Sequence, residues 1–176
     1  FDYDQDGDLD LYVANDSDAN SLYRNDGTGK FEDVGLWSGV ALSRDGLAQA
    51  GMGLTAGDAN GDGWIDLFVT NFSEDYSTLY LAGAKGVFRD ATIESGLKQP
   101  TYLPLSWGTS FCDLDCDGDL DLLVINGHIY PQVDAHPEFH MTFAQKPLLL
   151  ENTGAAKFVD DSARAGEAFG RARCGR

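Results

Sequence analysis

Short apolar runs recur along the chain, and each of them ends at a polar residue. The pattern Leu-x-Val-x-Asn occurs three times, at residues 11–15, 67–71 and 122–126. Runs of this length, filled with apolar, β-branched and aromatic residues, are typical of strands buried on both faces. We therefore predict a buried strand at each of the three places.

A second pattern follows each of these strands. A Leu stands nine residues before Phe-x-Asp, with a glycine-containing turn between them, at residues 22–33, 79–90 and 149–160. This arrangement predicts a β-hairpin. Two further runs, 51–57 and 106–112, align with each other and predict one more strand before the second and third acidic loops described below.

The repeated unit is therefore strand, acidic loop, strand, strand, turn and strand, and its copies start 56 and 55 residues apart. Four antiparallel strands in a repeat of this length indicate a β-propeller blade. We predict an all-β β-propeller fragment with about two and a half four-stranded antiparallel blades. The predicted division is a partial first blade lacking its inner strand (1–50), a second blade (51–105), a third blade (106–168) with an insertion at 127–148, and the start of a further blade (169–176).

The charge of the chain is strongly negative. The formal net charge is −17, from 29 acidic and 12 basic residues, and 23 of the acids are Asp. This balance excludes a nucleic-acid backbone or an anionic membrane as a simple electrostatic partner. No apolar stretch approaches the roughly 20 residues of a membrane-spanning helix, so we predict no membrane insertion.

Much of this charge lies in three nine-residue loops that begin at Asp2, Asp58 and Asp113. Each loop has carboxylate or amide oxygens at positions 1, 3, 5 and 9, and glycine at position 6. That spacing suits a hard cation, with a backbone carbonyl at position 7 as a further ligand. The predicted ligands are Asp2, Asp4, Asp6, Asp8 and Asp10 in the first loop, Asp58, Asn60, Asp62, Trp64 and Asp66 in the second, and Asp113, Asp115, Asp117, Asp119 and Asp121 in the third.

We expect about three Ca²⁺ ions, one in each loop, rather than Mg²⁺, because no substrate phosphate is implied. The second loop has the fewest acids, so we predict that it is the weakest site. A plain Asp/Gly-rich turn would explain one such loop but not three copies in the same strand context. An EF-hand would need Glu at position 12, which is Val13, Val69 and Val124 here, each within a predicted strand.

These motifs resemble the FG-GAP/VCBS repeats of integrin-α-type β-propellers. More narrowly, the segments 51–58, 22–25 and 126–134 look like the cartilage-acidic-protein-type, ASPIC/UnbV-associated bacterial proteins. The resemblance implies a seven-bladed, secreted or envelope protein, with calcium ligands at positions 1, 3, 5 and 9 of each loop. The literal Phe-Gly and Gly-Ala-Pro signature is missing, and no ASPIC/UnbV domain is included.

Other polar residues leave alternatives open. His128, His136 and His140 all lie in the insertion, where they predict either a second metal site or a packed loop that makes hydrogen bonds. Cys112 is expected to be a small buried residue and Cys116 to face solvent, with Cys174 unassigned.

The function that these features favour is a non-enzymatic, calcium-binding propeller segment of an extracellular, cell-surface or periplasmic protein, used for ligand binding or cell adhesion. Its expected partners are a protein or glycan ligand and flanking blades of the same parent protein. The alternative is the accessory or substrate-binding propeller of a polysaccharide-active enzyme, for which acidic or His side chains outside the acidic loops, especially from 127–148, should converge in one cleft. A lectin-like module is a third hypothesis, and it needs an exposed Trp37 or Trp107 on a blade face.

Overall fold

A computed structural model describes residues 1–171 of the chain. Its strands form three antiparallel sheets, which follow one another in chain order. The first sheet contains β1 (Leu11–Val13), β3 (Ser21–Asn25) and β4 (Phe31–Asp33), in that order. The third contains β9 (Ser106–Cys112), β10 (Asp121–Asn126), β11 (Leu148–Asn152) and β12 (Phe158–Asp160).

The second sheet has five strands instead of the expected four. Its main strands are β5 (Gln49–Gly57), β6 (Asp66–Asn71), β7 (Thr78–Gly83) and β8 (Val87–Asp90). The fifth, β2 (Asp16–Asp18), comes from the first repeat and pairs with the free edge of β5. This pairing supplies partners for backbone groups at that edge, and beside it the Gly51 amide donates to the carbonyl oxygen of Asn15 at 3.0 Å.

All three predicted hairpins form, because β3 pairs with β4, β7 with β8 and β11 with β12. Strands form at all three predicted places, and position 12 of each acidic loop lies within one of them. The predicted burial holds for β6 and most of β10, but in β1 only Tyr12 is buried and Leu11 is exposed. The flanking elements of the loops are thus strands, which excludes an EF-hand. The chain is an all-β assembly of β-propeller blades, as predicted. Its division at particular residues stays a prediction, and the part of 169–176 beyond residue 171 lies outside the described residues.

The core lies between the sheets in two layers. Tyr12 and Leu22 of the first sheet pack with Val69 and Tyr80 of the second. Phe68 and Leu79, whose side chains point to the opposite face of the second sheet, pack with residues of the third. These layers follow from the strand period, since neighbouring residues of one strand point to opposite faces. Face-to-face stacking of the sheets therefore explains why the central strand β6 is buried along its whole length.

Short helical segments connect the strands. They are α1 (Gly35–Ser38), α2 (Lys98–Tyr102) and two 3₁₀ turns, Pro131–Ala135 and Pro137–Phe139, which lie in the insertion. Between residues 1 and 171, no helix has the length and apolar character needed to cross a lipid bilayer.

One glycine fixes the closest approach of the second and third sheets. A Cβ atom at Gly53 would overlap the carbonyl oxygen of Trp107 and lie 3.0 Å from Thr70 Oγ1. Thr70 bridges the sheets at this point, because its hydroxyl donates to the Trp107 carbonyl at 2.6 Å and accepts from the Gly53 amide at 2.9 Å.

We expect Gly53→Ala to lower the free energy of unfolding by about 2–3 kcal/mol, because the added methyl forces the sheets apart. The matched control is Gly108→Ala, at the equivalent position of β9, where a Cβ meets no atom within 4 Å. That change should stay within about 0.5 kcal/mol. Denaturant unfolding measures both, and equal losses would contradict the packing argument.

Candidate metal centre

The first Asp of each acidic loop closes the loop on itself. Its two carboxylate oxygens accept the backbone amides of positions 5 and 6. The distances are 3.1 and 3.0 Å for Asp2, 3.1 and 2.8 Å for Asp58, and 3.2 Å twice for Asp113. The three loops therefore share one fold, which their shared spacing alone had only suggested.

The turn at position 6 requires glycine. Gly7, Gly63 and Gly118 have φ angles of 97°, 87° and 98°, a region that other residues rarely adopt. Immediately after the glycine, the backbone amide of position 7 donates to the carboxylate of position 5. These bonds run from Asp8 to Asp6 at 3.0 Å, from Trp64 to Asp62 at 2.9 Å and from Asp119 to Asp117 at 2.9 Å. This bond closes a local turn at the residue whose carbonyl was predicted as a ligand.

The Asp at position 9 has a structural role that sequence reasoning missed. Asp10, Asp66 and Asp121 are all buried. One oxygen of each accepts the amide of loop position 2, from Tyr3, Ala59 and Leu114 at 3.1, 2.9 and 3.0 Å. The other oxygen accepts an amide of the following hairpin, from Asn25, Ala82 and Asn152 at 2.9, 2.7 and 2.9 Å. Position 9 therefore joins each loop to its hairpin.

Side chains also join the loops to one another. Gln5 in the first loop donates through Nε2 to the carbonyl oxygen of Gly63 in the second loop at 2.8 Å. Asn152 of β11 donates through Nδ2 to the carbonyl oxygen of Ala59 in the second loop at 2.8 Å, and to that of Leu120 in the third at 3.2 Å. The three loops therefore belong to one hydrogen-bonded edge of the molecule.

Two loops gather three carboxylates each. Oxygens of Asp2, Asp4 and Asp10 lie within 4.8 Å of one another, as do oxygens of Asp113, Asp115 and Asp117. The second loop forms no such carboxylate trio among residues 1–171, since Asn60 occupies position 3 and its Oδ1 accepts the Asp62 amide at 3.0 Å. Asp6 and Asp8 of the first loop, and Asp119 and Asp121 of the third, do not belong to these trios.

The first loop holds an oxygen without a partner. Asp4 Oδ1 is buried and takes part in no hydrogen bond within the described chain. Burial, followed by the charges of Asp6 and Asp10, raises the pKa of Asp4 above its usual range. A buried carboxylate oxygen without a donor is costly unless a cation or water satisfies it. The oxygen atoms of the loop suit a hard divalent cation in type and number. A bound cation would also satisfy the unpartnered Asp4 oxygen.

Burial affects the other loops as well. It raises the pKa of the Asp66 carboxyl to about 6, although the Ala82 and Ala59 amides oppose the shift. In the third loop, desolvation and then the Asp117 charge raise the pKa of Asp115. Each shift has the direction expected where desolvation of a carboxylate outweighs the hydrogen bonds that it accepts.

A model of the FG-GAP-like repeat matches the chain twice, over residues 2–69 and 58–124. The chain belongs to the FG-GAP-like repeat family. Each FG-GAP-like match starts at one acidic loop and ends in the strand that follows the next loop, so the matched unit coincides with the spacing of the loops. A comparison with curated proteins gives no match.

The histidines of the insertion do not gather around a metal. His128 is buried against Phe72 and Tyr130, and its Nδ1 accepts the Tyr130 amide at 3.1 Å. His136 faces Glu138 on the surface, with 3.0 Å between Nδ1 and Oε1. Within residues 1–171, the groups with metal-ligand spacing are the two trios above, so the packed-loop interpretation fits these histidines better.

The cysteines are free thiols where the structure describes them. Cys116 is exposed, as predicted, whereas Cys112 is only half-buried. Cys174 lies outside the described residues.

Proposed function

We propose that this propeller segment binds Ca²⁺ in its three acidic loops and serves, without catalysis, in ligand binding or adhesion by an extracellular, cell-surface or periplasmic protein. The observation that carries the proposal is the same hydrogen-bonded loop geometry in three acidic loops, two of which gather three carboxylates, with Asp4 Oδ1 buried and unpartnered in the first. The narrower relation to cartilage-acidic-protein-type bacterial proteins, and a seven-bladed parent, belong to this proposal.

The chain's own residues define what an ion would do here. Positions 1, 3 and 5 would hold it, together with the carbonyl of position 7. Position 9 anchors the loop to the hairpin, and in the first loop its Asp10 also belongs to the carboxylate trio. When bound, the ion supplies positive charge that offsets repulsion between neighbouring carboxylates, which is about 1 kcal/mol for a close pair even in water. The expected role is therefore structural: it keeps strands fixed at the loop edge of each blade.

Isothermal titration of the chelator-treated chain with Ca²⁺ tests the proposal. We expect about three sites, with Mg²⁺ binding much more weakly because it prefers a smaller octahedral site that retains water. The proposal would be overturned if Ca²⁺ gave no heat of binding and the chain did not compete with a calcium indicator dye for the ion.

The order of affinities gives a sharper prediction. We expect the second loop to bind most weakly, since it offers three acids and Asn60 where the other loops offer five acids each. The variants Asp6→Ala, Asp62→Ala and Asp117→Ala remove the position-5 carboxylate from one loop at a time. Asp62→Ala should delete the weakest site in calorimetry, and loss of the tightest site in that variant would contradict the prediction.

A glycan ligand is the second candidate, and it is favoured by Trp37. This side chain is 89% exposed. It stands four residues after Asp33, where the other repeats place Glu94 and Arg164, both on the surface in ion pairs. The position is therefore a surface position in each repeat, and the fold has no need of an aromatic ring there.

The surroundings of Trp37 suit a sugar. A cavity of about 240 Å³ beside the ring is lined by Ala19, Asn20, Ser21, Asp33 and Leu36. Asp33 Oδ1 accepts the Gly35 amide at 3.0 Å, whereas Oδ2 makes no hydrogen bond to any described residue. An aromatic face beside a free carboxylate oxygen offers both an apolar contact and a polar contact to a glycan.

We expect Trp37→Ala to abolish binding on a glycan array while leaving the free energy of unfolding within about 0.5 kcal/mol, because the ring contributes little to the core. Trp107→Phe is the control: Trp107 donates through Nε1 to the Gly127 carbonyl at 2.7 Å, so its change should reduce stability and spare glycan binding. Unaltered glycan binding by the Trp37 variant would contradict this assignment.

The polysaccharide-active alternative depends on the insertion. A cavity of about 660 Å³ is lined by Asp134, His140 and Lys146 together with apolar residues such as Leu103 and Met141. The carboxylate of Asp134 already accepts the Phe143 amide at 2.8 Å. A second carboxyl group, which glycoside hydrolysis ordinarily requires, does not line this cavity within the described chain. Hydrolysis by a pair of carboxyl groups is therefore not supported here, whereas Asp134 and His140 of the insertion do meet in one cleft, as the substrate-binding alternative requires.

A further inference from the structure

The sequence contains two Asn-Gly pairs, Asn60–Gly61 and Asn126–Gly127. An Asn side chain can lose ammonia when the next backbone nitrogen attacks its amide carbon, and glycine gives that nitrogen the least steric shielding. The two pairs occupy opposite environments, one in the second acidic loop and one at the end of β10.

The Asn126 pair is protected by the fold. Asn126 is 1% exposed, its Oδ1 accepts from Ser106 Oγ at 2.8 Å, and its Nδ2 donates to the Lys146 carbonyl at 2.8 Å. The amide of Gly127 donates to the Leu105 carbonyl at 3.0 Å. The nucleophilic nitrogen and the target side chain are therefore both held in other contacts.

The Asn60 pair has none of this protection at the attacking nitrogen. Gly61 is exposed, its amide takes part in no hydrogen bond within the described chain, and no atom lies within 4 Å of the point where a Cβ would stand. Its φ angle of 73° lies in the region that glycine visits readily. The backbone can thus move toward the neighbouring side chain without displacing a packed group.

Asp62 further favours the reaction at Asn60. Its amide donates to Asn60 Oδ1 at 3.0 Å, on the oxygen where negative charge develops when Gly61 N adds to the carbonyl carbon. A fixed donor at that oxygen stabilises the addition intermediate. The Asn60 side chain is also held through its Nδ2, which donates to Asp62 Oδ2 at 3.0 Å, so the two pairs differ in the free nitrogen of Gly61 and not in the freedom of the Asn side chain.

We infer that Asn60–Gly61 is a spontaneous deamidation site, which converts position 3 of the second loop into a carboxylate. The bond between Gly61 N and Asn60 Cγ forms, the Cγ–Nδ2 bond breaks, and Nδ2 leaves as ammonia with the proton from Gly61 N. Water then opens the cyclic imide at either carbonyl. One product is Asp, the residue at this position in the other two loops, and the other is isoaspartate, with one extra carbon in the backbone.

The test is incubation of the full folded chain in chelator at mildly alkaline pH, followed by peptide mapping with mass spectrometry. The mass change from amide to carboxyl identifies deamidation and excludes isomerisation of Asp-Gly pairs, which leaves the mass unchanged. We expect modification at Asn60 at least about tenfold faster than at Asn126, since the buried pair reacts only when the structure opens. In denaturant the two pairs should react at similar rates, which provides the internal control.

Equal rates at the two pairs in the folded chain would overturn the inference, as would an Asn60 that reacts only in denaturant. A parallel incubation with Ca²⁺ tests the proposed metal site separately. Slower reaction at Asn60 in Ca²⁺ supports a ligand role for its Oδ1. An unchanged rate counts against calcium in the second loop and leaves the modification itself supported. The Asn60→Asp variant, which represents one product, should bind Ca²⁺ more tightly than the unmodified chain.

Discussion

Calcium ions are expected to raise the midpoint of thermal unfolding of this chain by a large margin. An ion at a hundredfold excess over its dissociation constant stabilises the folded state by about 2.7 kcal/mol per site. Three occupied loops would contribute about 8 kcal/mol, which corresponds to a shift of roughly 15–30 °C for a chain of this size. Differential scanning calorimetry in chelator and in excess Ca²⁺ measures the shift.

Magnesium at equal ionic strength is the control for general screening, and it should shift the midpoint by only a few degrees. The shift must also rise with the logarithm of free Ca²⁺ if the ion binds the folded loops and not the unfolded chain. A midpoint that is the same in chelator and in Ca²⁺ would mean that the loops hold their shape without ions.

The second large effect is expected from Asp66→Ala measured in chelator. Both oxygens of this buried carboxylate accept backbone amides, from Ala59 and Ala82 at 2.9 and 2.7 Å. Removing it leaves two buried N–H groups without acceptors, at about 1–3 kcal/mol each, so we expect a loss of about 3–5 kcal/mol in the free energy of unfolding. Denaturant titration measures this loss directly.

Two matched variants separate this effect from metal binding. Asp66→Asn keeps one acceptor oxygen but turns an NH2 donor towards the other backbone amide, so its loss should be comparable to that of the Ala variant. Asp62→Ala changes an exposed carboxylate of the same loop and should cost about 1 kcal/mol in chelator. Similar losses for Asp62→Ala and Asp66→Ala would show that the anchoring role assigned to position 9 is wrong.

The hairpins and central strands could be predicted because three aligned copies reduce the ambiguity of short apolar runs. Leu67 alone could start a strand or a buried helix, but its alignment with Leu11 and Leu122 leaves only the strand. The position of glycine in each acidic loop was equally readable, since the sharp turn requires the φ angle that the structure shows at Gly7, Gly63 and Gly118.

Contacts between repeats could not be predicted in the same way. The exposed sequence Asp16–Asp18 has no strand pattern, and it becomes β2 only because its backbone meets the edge of β5. The double anchoring by Asp66 also depends on where the Ala82 amide lies in the folded hairpin. The sequence did indicate that Asp66 needs hydrogen-bond donors, because it stands directly before a buried strand. It does not identify which backbone amides donate.

The exposure of Trp37 was left open for a different reason. Alignment with Glu94 and Arg164 would have indicated a surface position, yet aromatic residues in short connecting segments are often buried. The structure decides it, because α1 places the ring outside both core layers.

The hydrogen bonds that run from Gln5 to Gly63 and from Asn152 to Ala59 and Leu120 have a thermodynamic consequence. An ion that restrains one loop also restrains backbone atoms of the next loop. Binding of a second ion at that next loop would then cost less conformational entropy. Occupancy at adjacent blades is then linked by a coupling free energy that acts equally in both directions. Ion uptake would follow a sigmoidal isotherm rather than three separate hyperbolas. Gln5→Ala, which removes the hydrogen bond to Gly63, would make the isotherm less sigmoidal.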